Sequence, residues 1–233
     1  MTLHSSFDQT IVMQQRGGTF LFTERIFMST ILVLTASPRG ERSVSRALTT
    51  LFAELWARHH PQDTILLRDI GHHPVPHVTE PWVVGAFAPA EAQNAESKAA
   101  IAVSDQLVDE FLAADRYVFG TPMYNFNIPS TFKAYIDQIV RAGKTFAVGP
   151  NGYEGLVKNK KALFIASSGG AYAPGTPMAA YNFQEPYLRV IFGFIGLTDL
   201  QFVTADSMNL GEDAAKHSRE KAENALKELA ANW

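Results

Sequence analysis

The sequence predicts an α/β fold, a doubly wound, five-stranded parallel sheet with helices on both faces. Three observations predict it. Five short runs are apolar and β-rich, as in strands buried on both faces. Between them, apolar residues recur at i, i+3, i+4 and i+7, the stripe of an amphipathic helix. Clusters of Pro, Gly and Ser separate the two kinds of segment, and such alternation implies crossovers covering both faces of a sheet.

The first strand is Thr30-Ile31-Leu32-Val33-Leu34-Thr35, broken by a polar turn containing Pro38 and Gly40. The period then changes: Val44, Ala47, Leu48, Leu51, Phe52 and Leu55 form one stripe, with Ser43 as the expected N-cap. Thr64-Ile65-Leu66-Leu67-Arg68 is the heart of the second strand, and residues 71–95 read as a long, irregular, Pro- and His-rich connection. Ile101, Ser104, Leu107, Val108, Phe111 and Leu112 mark a second helix, and Arg116-Tyr117-Val118-Phe119-Gly120 a third strand. Ser130 is expected to cap a third helix that carries Phe132, Tyr135, Ile136, Ile139 and Val140 and stops at Gly143. Asn151-Gly152 between short apolar runs signals a hairpin. Lys161-Ala162-Leu163-Phe164-Ile165-Ala166 is the fourth strand, and a helix follows from about Gln184 to Ile195. Leu200-Gln201-Phe202-Val203-Thr204 is the fifth strand, before a terminal helix over residues 213–229. Five such units fit the flavodoxin-like strand order 2-1-3-4-5.

Composition narrows the function classes. Of 233 residues, 46% are hydrophobic and 18% charged, the balance of a well-filled core. A net charge of −3 argues against a nucleic-acid partner, which would require a basic patch. The chain has no Cys, hence no disulfide, thiol nucleophile or Cys-ligated metal, and a reducing, cytoplasmic location is expected. No run approaches the roughly 18 apolar residues of a membrane span. Residues 1–27 lack the features of a secretory signal and read as a mobile N-terminal appendage to a domain over residues 28–233. The alternative is an added strand, with Thr19-Phe20-Leu21-Phe22-Thr23 pairing at a sheet edge.

In open sheets of this kind, ligands bind beyond the carboxyl ends of the strands at the switch point. Three loops leave those ends, and all three carry chemistry. In the first, a helix N-terminus meets the hydroxyls of Ser37, Ser43 and Ser45, with Arg42 or Arg46 available to add charge. Unpaired amides and the helix dipole make that an anion site. Roughly four donors at about 1.5–3 kcal/mol each give a gross gain on the order of 6–12 kcal/mol for a bound phosphate. An ordinary capped loop is the alternative. In the second, Tyr124 and Phe126 stand beside the amides of Met123, Asn125 and Asn127, apolar faces and in-plane donors together, as a flat heteroaromatic ring requires. In the third, Ser167-Ser168-Gly169-Gly170 lets backbone amides approach a ligand edge, although a tight turn explains paired glycines equally well.

Other motifs fall away. Gly143-Lys144-Thr145 ends like a P-loop, but position 138 is Gln and the triplet follows a helix. No nucleophile elbow is present. Acidic partners at ligand spacing are scarce around His59-His60, His72-His73 and His77, so no metal is expected.

The set Ser37, Ser43-Val44-Ser45, Pro122-Met123-Tyr124-Asn125-Phe126-Asn127 and Ser167-Ser168-Gly169-Gly170 resembles the FMN-dependent NADH-azoreductases, which are also NADH:quinone oxidoreductases. Residues 142–146, 151–156, 160–162 and 193–199 extend the match, which covers the chain from Met28 onward. The resemblance implies FMN held at its phosphate by Ser37, Ser43, Val44 and Ser45. Met123, Tyr124, Asn125 and Phe126, with Ser167, Ser168, Gly169 and Gly170, would lie along the isoalloxazine. It further implies a homodimer with its active site near the subunit interface, and NADH as co-substrate. Quinones or azo compounds would be the acceptors, taking hydride from flavin N5 in a ping-pong cycle.

Amides of Asn125, Gly169 and Gly170 would stabilise the reduced ring, and Phe126, Phe146, Tyr172 and Phe194 would wall flat substrates. No side chain is assigned as a catalytic acid. The family often has Tyr-Ser-Gln-Ser where this chain has Arg42-Ser43-Val44-Ser45, and Ser-Arg-Gly-Gly where it has Ser167-Ser168-Gly169-Gly170. The missing arginine bears on substrate preference rather than on FMN. Tyr172 stands where some relatives have His. A flavodoxin-type electron carrier, and a scaffold without flavin, are the competing classes; carriers are usually more acidic and lack the segment over residues 144–156.

Overall fold

The structure, a computed structural model, describes residues 11–16, 19–24, 28–150 and 152–233. Near the N-terminus β1 (Ile11–Arg16) and β2 (Thr19–Glu24) pair antiparallel as a two-stranded sheet of their own. The segment expected as an edge strand is therefore extended, but its partner is its own neighbour in sequence. The remainder of residues 1–27 lies outside the described residues.

Five parallel strands form the main sheet: β3 (Thr30–Thr35), β4 (Thr64–Asp69), β5 (Arg116–Pro122), β8 (Lys161–Ser167) and β9 (Asp199–Ala205). Across the sheet they run β4-β3-β5-β8-β9. Between β5 and β8 the chain makes a hairpin of β6 (Phe146–Gly149) and β7 (Gly152–Gly155); Asn151 of its turn lies outside the described residues. Among the described residues six α-helices complete the fold: α1 (Val44–His59), α2 (Glu80–Phe87), α3 (Ala95–Ala113), α4 (Ser130–Ile139), α5 (Gln184–Phe194) and α6 (Glu212–Asn232). None of these helices is long and apolar enough to cross a membrane.

The unbroken apolar strands follow from burial on both faces. Side chains alternate along β3, so Leu32 and Leu34 enter one core with Phe111, Phe119, Phe132, Phe164 and Phe192. Ile31 and Val33 enter the opposite core with Leu48, Phe52, Trp56, Leu226 and Trp233. Phe119 sits at the centre of the first core, with ring centroids 5.0–5.5 Å from Phe132, Phe164 and Phe192.

Two expectations are corrected. The connection over residues 71–95 contains α2, where five helices were expected in all. A proline in its first turn, Gly85 at its middle and an almost wholly apolar composition hide the amphipathic stripe. Gly85 is a packing requirement rather than a breaker: a Cβ there would lie 2.5 Å from the Ser97 carbonyl of α3 and 2.8 Å from Ile101 Cβ. In α4, Pro129 holds the cap position and Ser130 is the first helical residue. That helix ends at Ile139, before Gly143, which takes φ +74° in the following turn.

Candidate active site at the carboxyl rim

The rim is built by three loops. After β3, Ala36 continues the ladder by donating to Gly120 O over 2.9 Å, and Ser37 is buried just beyond it. A 3-10 turn over Gly40–Arg42 leads to Ser43, whose Oγ accepts from Arg46 N at 3.3 Å as the N-cap of α1. Ser45 Oγ lies 3.3 Å from Ser43 Oγ. The first two helical amides, of Val44 and Ser45, are donors that the helix itself cannot satisfy.

The second loop is a two-residue turn. Tyr124 N donates to Asn127 O at 2.8 Å and Asn127 N to Tyr124 O at 3.0 Å. Between them Asn125 and Phe126 take φ +48° and +68°, the backbone of a type I′ turn. For Phe such a backbone is strained by about 1 kcal/mol or more. The strain is held in place by Met123 N donating to Ser167 O, Phe183 N to Phe126 O and Gln184 Nε2 to Pro122 O, at 2.7, 3.1 and 3.0 Å.

The third loop is fixed from behind. Ser207 N, Met208 N and Asn209 N donate to the carbonyls of Gly170, Ser168 and Gly169 at 3.1, 3.1 and 2.9 Å. Ser168 Oγ bonds the Gly170 carbonyl. The carbonyls are thus occupied, while the Gly169, Gly170 and Asn125 amides have no partner among the described residues.

These loops meet. A cleft of about 230 Å³ is lined by Ser37, Ser43, Val44, Met123, Tyr124, Ser167, Ser168 and Gly169. Arg39, Pro122, Met208 and Asn209 complete it, and no sequence signal marked the last two. Ser45 stands behind Ser43, Asn125 and Phe126 follow Tyr124 in the turn, and Gly170 follows Gly169. A second cavity of about 100 Å³ adjoins at Met123, Ser168 and Tyr172, reaching Gln184 and Asp206.

One expectation is corrected. Arg46 is not a free charge for the cleft: its guanidinium pairs with Asp69 at 2.7 Å, whereas Arg39 does line the cleft. Burial acts to raise Asp69, but hydrogen bonds from Arg46 and His72 outweigh it and hold this carboxyl well below the usual carboxylate range. The four expected substrate walls divide into two pairs. Phe126 and Tyr172 meet at 6.1 Å on the rim, where Tyr181 also stands 5.3 Å from Phe126. Phe146 and Phe194 meet at 4.8 Å beside Tyr153, on the hairpin and the last residue of α5. Gln184, the first residue of that helix, touches the rim, so about 15 Å of helix separates the two pairs within one chain. Among the described residues no cluster of His, Asp and Glu could hold a metal.

A five-stranded parallel sheet whose first loop offers a helix N-terminus, and whose next two rim loops offer free amides and aromatics, defines a flavodoxin-like protein. The family model for the flavodoxin-like fold matches residues 29–230. An FMN-dependent NADH:quinone oxidoreductase of Nostoc sp. is 60% identical over 88% of this chain and 100% of its own length. The azoreductase of Bacillus anthracis superimposes with a TM-score of 0.83 at 31% identity, covering 88% of this chain and 100% of that one. A second B. anthracis structure, an FMN-dependent NADH-azoreductase in complex with FMN, gives a TM-score of 0.78 at 26% identity over 87% of this chain and 100% of that one. The chain belongs to the FMN-dependent NADH:quinone oxidoreductase family.

Proposed function

We propose that this chain binds FMN in the rim cleft and oxidises NADH to reduce quinones and azo compounds, alternating the two substrates in one pocket. The observation that carries the reading is the convergence of three loops, each with unpaired donors, on one cleft. The donor set fits the coenzyme. Val44 and Ser45 amides with Ser37 and Ser43 hydroxyls suit a phosphate, and Arg39 adds a positive charge at the same wall. Asn125, Gly169 and Gly170 amides suit the polar edge of the ring, where they would stabilise negative charge as it develops.

When bound, FMN would supply the hydride chemistry that links NADH to the acceptor. Tyr124 and Phe126 would flank the ring, and Phe126 and Tyr172 would orient flat acceptors over it. The cleft is smaller than the roughly 300–1,000 Å³ of sites that enclose a ligand of drug size, so it would not enclose the whole coenzyme.

A homodimer extends this reading. Val148 and Tyr153 of the hairpin and Val190 of α5 are each 71% exposed, next to the Phe146–Phe194 pair. Seated on a partner, this apolar surface would bring the second aromatic pair to a subunit interface. The absence of Cys fits work in the reducing cytoplasm. Reconstitution with FMN, followed by NADH oxidation with and without a benzoquinone, tests the reading. A protein that takes up no FMN would overturn it, and one that takes up FMN but reduces no acceptor would be a carrier. Parallel double-reciprocal lines are the result expected of alternating substrates.

A further inference from the structure

We infer that Asp69, acting through Arg46, is a positioning residue for the phosphate end of the coenzyme, because Arg46 touches both ends of the loop that lines that end of the cleft. The inference rests on the FMN reading above. Arg46 N donates to Ser43 Oγ at 3.3 Å, and Arg46 Nη2 donates to the Ser37 carbonyl at 2.6 Å. Ser37 and Ser43 are the two serines of this loop that face the cleft, and Arg46 itself does not line it. The guanidinium therefore ties the Ser37 end of the loop to the residue whose backbone amide caps on Ser43.

Asp69, at the end of edge strand β4, holds the guanidinium in register. Nη1 meets Oδ2 at 2.7 Å and Nη2 meets Oδ1 at 2.8 Å, a bidentate pair that fixes the plane of the fork. The carboxylate is itself oriented by the amides of Gly71 and His72, each at 3.1 Å, and by His72 Nδ1 at 2.8 Å. The space is keyed to this arrangement. A Cβ at Gly71 would lie 2.2 Å from the Ser37 carbonyl oxygen and 3.1 Å from Arg46 Nη2. Partly buried ion pairs return little net stability once desolvation is counted, so geometry is what such a pair contributes most. Here the geometry ends at Ser37.

A simple tether of β4 to α1 would affect every ligand of the cleft alike; a phosphate-positioning pair would not. The test is flavin titration of the flavin-stripped full chain by fluorescence quenching, with FMN and with riboflavin, which lacks the phosphate. In Asp69→Asn the FMN dissociation constant is expected to rise about tenfold and that of riboflavin by less than about twofold. Arg46→Lys, which keeps the charge but loses the fork, should fall between this variant and wild type. Equal weakening of both flavins, or no change in either, overturns the inference while leaving the FMN reading intact. If Asp69→Asn fails to fold by circular dichroism, the FMN-to-riboflavin ratio in Arg46→Lys decides the matter. A wild-type chain that binds neither flavin removes the FMN reading and this inference with it.

Discussion

The ring of Phe126 lies 5.3 Å from that of Tyr181, on a residue whose φ of +68° places it in the left-handed region. A strained backbone thus holds an aromatic at the mouth of the cleft against a residue from a loop more than fifty positions away. Aromatic pairs contribute about 0.5–1.5 kcal/mol beyond burial. Tyr181→Ala should therefore raise KM for a naphthoquinone about two- to tenfold and leave FMN content unchanged. Steady-state kinetics alongside the flavin absorbance ratio would check both halves.

Ser43 has two tasks, as N-cap of α1 and as a hydroxyl facing the cleft. Ser43→Ala should cost about 1 kcal/mol of stability from the lost cap. It should also weaken FMN by roughly tenfold through the lost phosphate bond. Urea unfolding of the flavin-free chain isolates the first effect, and flavin titration the second.

Asp69 ties stability to pH. Its carboxyl is depressed in the folded chain, so the folded state binds that proton more weakly than the unfolded one. The contribution is complete above the unfolded value of about 4 and is lost as pH falls through the folded value. Urea midpoints of wild type should drop more steeply than those of Asp69→Asn below about pH 4, and the two curves should run parallel above about pH 5. Curves that stay parallel throughout contradict this.

Phe119 is fully buried among three other Phe rings. Phe119→Ala is expected to cost about 3–5 kcal/mol, since the surrounding rings cannot close the cavity. Thermal unfolding should show Tm falling by several degrees for each kcal/mol lost.

Val148, exposed on the hairpin, offers a test of the homodimer. Val148→Glu places a charge on that apolar surface and should shift the protein toward monomer in sedimentation velocity. Flavin content should hold while quinone reduction falls.

The strands were legible because each carries a short, β-rich apolar run. Ile31, Leu32, Val33 and Leu34 feed two cores at once, and only a strand covered on both faces needs four such residues in a row. The first and third loops were legible for a related reason: serines and paired glycines at strand ends have no core to serve. Helix α2 was hidden because its exposed residues Val83 and Phe87 are as apolar as buried Trp82, so no stripe stands out. Met208 and Asn209 were hidden because a backbone amide donating to another loop leaves no mark on residue type. Arg46 was legible as a charge but not in direction, since its partner Asp69 lies twenty-three positions on, at the end of another strand.

The clasp that Ser207, Met208 and Asn209 place on the loop after β8 reaches across some forty positions to Ser168, Gly169 and Gly170. With those carbonyls already engaged, the Gly169 and Gly170 amides, proposed to face the ring, would stand ready before any ligand arrives, and association would forfeit little freedom there. Damage to this late bend would surface first as a pale, flavin-poor preparation, well before any change in melting behaviour.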